Sequence, residues 1–174
     1  MKKALIIIAI LIVILPIDKP ADVIIPKNSI RFRVIANSDN ENDQDLKKQV
    51  VNNLKPEISA IKYTPKDISS TRKSIHEQMP IFGDIVQKTL LENNSKMSYS
   101  IDYGMNYFPE KKYKGITYEE GDYESLIVTL GDGLGKNFWC VLFPPLCLVE
   151  AEEDTKVEDV KYTSIIKEII DKYF

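Results

Sequence analysis

The stretch from Gly131 to Cys147, Gly-Asp-Gly-Leu-Gly-Lys-Asn-Phe-Trp-Cys-Val-Leu-Phe-Pro-Pro-Leu-Cys, constrains this chain more than any other. It holds the only tryptophan, both cysteines, three of the seven glycines and a Pro-Pro pair. Glycines at 131, 133 and 135 read as a turn, because glycine tolerates positive φ. Phe138 to Phe143 is an uninterrupted apolar run of strand length. Pro144 and Pro145 end it, since neither has an N–H for a ladder. The stretch therefore predicts a glycine turn, a buried strand and a fixed proline exit. Strand alternation places Trp139, Val141 and Phe143 on one face and Cys140 and Leu142 on the other. Trp139, Phe143, Pro144 and Pro145 are candidate partner-binding residues, because a large aromatic beside a stiff apolar segment docks with little loss of entropy. The competing reading buries both faces and makes the strand a sheet filler.

The amino end sets the compartment. Met1-Lys2-Lys3 is followed by twelve apolar residues, Ala4 to Leu15, and closed by Pro16 and Asp18. This is the layout of a secretory signal. As a helix the run spans roughly 18 Å, against about 30 Å of bilayer hydrocarbon, so it targets a membrane more readily than it spans one. No clean Ala-x-Ala site follows, which keeps an uncleaved anchor as the rival reading. Residues 1–15 are thus expected to be a signal peptide or membrane anchor, the chain's membrane contact. Residues 16–29 contain three prolines and no periodicity, and read as a linker. Residues 30–174 then form one domain. The chain's net charge is −3, with Lys2, Lys3 and Lys19 in the first 21 residues. The remainder is more acidic still, and this argues against a nucleic-acid partner.

Ile30 to Ile35 alternates as a half-buried strand. Asn37, Ser38 and Asp39 break it and are expected to cap a helix from about Asn42 to Lys55, kinked at Pro56 and running to Ile61. Leu46, Val50, Val51 and Leu54 line one face. Thr64-Pro65 is expected to open a second helix over Ile68, Ile75 and Met79, and Pro80 to restart a third through Ile81, Ile85, Val86, Leu90 and Leu91. Met97 to Tyr107 switches to period two, with Met97, Tyr99, Ile101, Tyr103, Met105 and Tyr107 on the core face. Tyr113–Tyr118 and Tyr123–Leu130 read as strands joined by a hairpin-like turn at Glu119–Asp122. Glu150 to Glu158 is acidic and expected at the surface. An amphipathic helix over Tyr162, Ile166, Ile169 and Tyr173 closes the chain. Grouped helices and strands predict an α+β fold, a mainly antiparallel sheet with helices packed on one face.

Catalytic chemistry finds little footing. His76 is the single histidine. Cys140 and Cys147 are too far apart for a Cys-x-x-Cys motif, and nothing completes a metal-ligand set. They form either a disulfide, as an exported chain permits, or a buried thiol and a small hydrophobe. The glycine turn lacks the Gly-Lys-Ser/Thr of a phosphate loop. No cofactor is expected.

Two segments resemble the stage II sporulation protein R family: Arg31-Phe-Arg-Val-Ile-Ala-Asn-Ser-Asp39 with Asp43-Gln44 and Leu46-Lys47, and Trp139 to Cys147 with Gly131 and Gly133 before it. Departures include Phe138, where a second Trp is common, and Arg33, where a His is common. The resemblance implies an exported, intercompartmental signalling protein of endospore formation and no enzyme. It would pass from the forespore to the space between the two sporulation membranes and there activate a membrane-embedded mother-cell protease that processes a precursor sigma factor. Asn37, Ser38, Asp39, Asp43 and Gln44 join the candidate partner-binding residues. The rival readings are an exported thiol-dependent hydrolase using Cys140 and a cell-envelope binding module.

Overall fold

The computed structural model describes residues 23–113, 115–147 and 159–174. The N-terminal signal or anchor and the acidic Glu150–Glu158 stretch lie outside the described residues. Strand β1 covers Val23–Ile24 and β2 Ile30–Ile35. Helix α1 covers Glu41–Ala60 and α2 Ile68–Glu92. Strands β3 (Tyr99–Phe108), β4 (Lys111–Tyr113), β5 (Ile116–Tyr118), β6 (Gly121–Leu130) and β7 (Asn137–Phe143) follow, and helix α3 is Asp159–Tyr173.

The class is α+β with mixed sheets. The larger sheet runs β3-β6-β2-β7, with β2 parallel to β6 and the other pairs antiparallel. A smaller sheet runs β1-β5-β4, with β1 parallel to β5. One core joins Phe32, Val34, Leu126, Val128, Cys140 and Leu142 of the larger sheet to α1 and α2, through Leu46, Val50, Leu54, Ile75, Phe82 and Val86. A second core lies on the opposite face, where Val141 meets Ile25, Ile116, Leu146, Tyr162 and Ile166. The smaller sheet and α3 thus cover the back of the larger one. This explains why β2 is buried along nearly its whole length instead of half-buried: it is an inner strand covered on both faces.

Several local expectations give way to tertiary packing. Pro80 does not restart a helix; it sits inside the 25-residue α2. A helical proline costs about 3 kcal/mol, but Ile75, Phe82 and Val86 flank it fully buried, and each such side chain contributes about 1.5–3 kcal/mol. Pro56, by contrast, lies inside α1, which continues past it to Ala60 as expected. Helix α2 opens at the Asp67 cap and not at Thr64. The Tyr113–Tyr118 segment is a β4–β5 hairpin turning at Gly115, φ +75°. The Glu119–Asp122 turn is no hairpin, because β5 and β6 belong to different sheets. Val23–Ile24, in the stretch read as linker, pairs with Ile116–Thr117, and Ile25 is fully buried. On β3, Tyr99, Ile101 and Tyr103 pack against the helix-side core as expected, while Met105 and Tyr107 extend past it and are exposed. Among the described residues no helix is long and apolar enough to cross a membrane.

Candidate partner-binding site

Because β2 and β6 are neighbours and run parallel, the turn after β2 and the turn after β6 emerge at the same end of the sheet, from which β7 runs back along the outer side of β2. There they tie together. Leu134 N donates to Asn37 O at 3.0 Å and Gly135 N to Ala36 O at 2.9 Å. Asp132 N donates to Asn37 Oδ1 at 3.0 Å, and Lys136 N to Asp39 Oδ1 at 2.6 Å. A Cβ at Gly135 would overlap the Ser38 carbonyl, and one at Gly131, φ +56°, would overlap the Asn37 amide. Gly135 is therefore required by close approach, and Gly131 by close approach and by its positive φ.

The helix cap belongs to the same cluster, although the capping residue is Asn40 and not Asn37, Ser38 or Asp39. Asn40 Oδ1 accepts from Asp43 N at 2.8 Å. The Asp43 Oδ2 in turn accepts from Ser38 Oγ at 2.6 Å, Asn37 Nδ2 at 2.8 Å and Asn40 Nδ2 at 3.0 Å. Those bonds, from Ser38 and Asn37 foremost, hold the Asp43 carboxyl below its ordinary pKa. Gln44 Nε2 donates to Ser38 O at 2.8 Å. Lys47 Nζ, buried on α1, donates to Gln44 Oε1 at 2.6 Å and Lys136 O at 2.9 Å, and burial lowers its pKa.

From this edge β7 carries Trp139 onto the face away from α1 and α2. Arg31 and Arg33 occupy the same face of β2, since Trp139 pairs with Arg33 and Val141 with Arg31. The half-buried Trp139 ring has Arg33 Cζ 4.7 Å from its centroid, Lys111 Nζ at 4.8 Å and the Phe108 ring at 5.3 Å. Cations on an indole face are attracted by its quadrupole. Arg31 stacks on Tyr123, Cζ 3.8 Å from the ring centre, and its Nε donates to Ser29 Oγ at 3.3 Å. Burial lowers its pKa; Tyr123, Tyr118 and Glu119 oppose that shift. A pocket of about 440 Å³ opens here, with Arg31, Phe108, Lys111, Tyr118 and Trp139 among its lining residues.

A model of one protein family, stage II sporulation protein R, matches residues 26–153. The chain belongs to this family. It is similar to the stage II sporulation protein R of Bacillus subtilis (strain 168), with 36% identity over 137 residues, covering 79% of this chain and 61% of that one. The chain thus spans about three fifths of the length of the curated relative it matches. No solved structure matches.

In this member of the family, the two segments that carry the resemblance are the two halves of one construction: the tied turns, and the strands that lead from them to the pocket. The candidate residues divide accordingly. Asn37, Ser38, Asp39, Asp43 and Gln44 hold the tied turns, and Trp139 stands in the pocket. Phe143, Pro144 and Pro145 are buried. The expected alternation fails at Phe143: the register shifts between Ile30 and Arg31, so Phe143 pairs with Ile30 and packs on the helix side against Tyr173 and Phe174. Beyond it the chain turns tightly, Leu146 N donating to Val141 O, and Cys147 is joined to Cys140 by a disulfide with Cα atoms 5.5 Å apart. His76 is exposed, edge-on to Tyr103. Arg31, although it opens one of the resembling segments, is not among the candidate site residues that the sequence suggests, nor are Phe108 and Lys111. An arginine in an alternating strand reads as solvent-facing, and only the second sheet, folded across the back, buries it.

Proposed function

We propose that this chain is the exported signal of an intercompartmental checkpoint in endospore formation: made in the forespore, delivered to the space between the two sporulation membranes, and there activating a membrane-embedded mother-cell protease that processes a precursor sigma factor. Residues 1–15 direct the export, as a signal peptide or as a retained anchor. The observation that carries this reading is the family match across residues 26–153, which spans both characteristic segments. The chain acts as a ligand and not as an enzyme. Cys140 is buried and bonded to Cys147, so the thiol-hydrolase alternative draws no support from it.

In this reading Trp139 and its pocket form the contact with the protease, and the tied turns hold that contact in shape. The test is production of the chain in a non-sporulating host together with the protease and its precursor substrate. Processed sigma factor is expected only when all three are present. Trp139→Ala is expected to fold and to lose most of the processing. Processing that proceeds unchanged without this chain would overturn the proposal.

A further inference from the structure

Arg31 keeps only 3% of its surface exposed, and among the described residues its Nη2 is buried with no hydrogen-bond partner. A buried guanidinium lacking an anion is an unfavourable arrangement, because desolvation of the charge is only partly offset by ring contacts. Tyr123, Phe108 and Tyr118 surround it as aromatic rings, and among the described residues Glu119 acts on its charge without hydrogen-bonding to it. The surface Arg31 retains lines the 440 Å³ pocket, whose lining also includes Lys111 and Lys112, both exposed, and the aromatic residues Phe108 and Trp139. In a chain of net charge −3, three cations around one apolar cleft are a local reversal of sign. The cleft has the size of a small-ligand site, roughly 300–1,000 Å³.

We propose that this pocket receives an acidic side chain flanked by apolar residues, carried on a peptide segment of the partner protein. The carboxylate enters toward Arg31, where a charge-assisted pairing with the guanidinium is strong. Lys111 and Lys112 steer it in, and the flanking apolar side chains lie on Trp139 and Phe108. A buried cation lining the pocket favours a side chain that reaches inward over a flat anionic membrane surface, whose charges would meet only the exposed lysines. The assignment deepens the protease-activation reading by naming the chemistry of the docked segment, and it rests on that reading for the partner's identity alone.

The single tryptophan makes the test direct, since Trp139 emission reports on the pocket. The full chain is titrated with acetyl-Leu-Glu-Leu-amide and with its Gln counterpart. The Glu peptide is expected to shift the emission saturably, with an affinity about tenfold above that of the Gln peptide, and raised salt is expected to narrow the gap. Arg31→Gln should abolish the preference. Should that variant fail to fold, the Lys111→Gln, Lys112→Gln pair, on exposed positions of β4, should weaken the Glu peptide about threefold. Equal response to both peptides, or no response, overturns the proposal. So does a shift produced only by vesicles of phosphatidylcholine and phosphatidylglycerol. If the Glu peptide is preferred but the wild-type chain does not activate the protease, the pocket stands and the activation reading falls. If activation occurs without any peptide preference, the pocket assignment falls alone.

Discussion

Asp43 takes three hydrogen bonds on one oxygen, from Ser38, Asn37 and Asn40. All of them favour the ionised form, so the folded carboxyl titrates below its ordinary value of 3.8. The charge therefore stabilises the fold above that pH, and the contribution is lost as pH falls through the folded value. In thermal melts from pH 7 to pH 3, the gap between wild type and Asp43→Asn is expected to be widest at neutral pH and to narrow once the pH falls below 3.8. A gap independent of pH would mean that the carboxylate charge is not what holds the turn. The melt also separates the two roles of this cluster: if Asp43→Asn lowers the melting temperature while activation per folded molecule is unchanged, these residues shape the contact without making it.

Helix α2 shows what fastens an element to the sheet. Arg72 makes a bidentate pair with Glu124 of β6, at 2.8 to 3.0 Å, and Tyr103 of β3 donates to the same carboxylate at 2.6 Å. Burial works against the Glu124 charge, but the bonds from Arg72 and Tyr103 outweigh it and lower the pKa. The Arg72 side chain is nonetheless 46% exposed, so Arg72→Ala is expected to cost less than about 1 kcal/mol. Phe82 is fully buried, and Phe82→Ala should cost about 3–5 kcal/mol. Urea unfolding of the two variants checks the order; a larger loss at Arg72 would make the ion pair the fastening. Elements of this kind are legible in sequence because their period depends only on which face is covered. Leu46, Val50 and Leu54 mark the inner face of α1, and Tyr99, Ile101 and Tyr103 that of β3. What stays hidden is long-range. Pro80 reads as a break because the lost N–H is local while the burial that outweighs it is not. The parallel pairing of β2 with β6, and the meeting of the Asn37 and Gly135 turns, depend on strand order, which no local period encodes.

The molecule as a whole is a sandwich of two unequal cores, and its amino-terminal boundary follows from the smaller one. Ile25 and β1 contribute to that core, although a proline-rich segment without periodicity gives no sign of it. A chain starting at Asn28 loses both. It is expected to be at least about 2 kcal/mol less stable than one starting at Asp22, from the burial of Ile25 alone. The near-ultraviolet signal of Tyr162, on the opposing α3, should weaken with it. Equal stability of the two chains would place β1 outside the cooperative unit.

The tied turns also govern timing. Their halves are 95 and 97 residues apart at the Asn37–Asp132 and Asp39–Lys136 bonds, and the pocket draws on Arg31, Phe108 and Trp139 together. Contacts so distant along the chain close late. A chain threaded through a membrane amino end first presents Arg31 early and its pocket walls last. Until residue 139 has crossed, no fragment can offer the finished contact. On the proposed function, a half-delivered message would thus be an unreadable one, and the recipient would need no separate device to tell a complete delivery from an interrupted one.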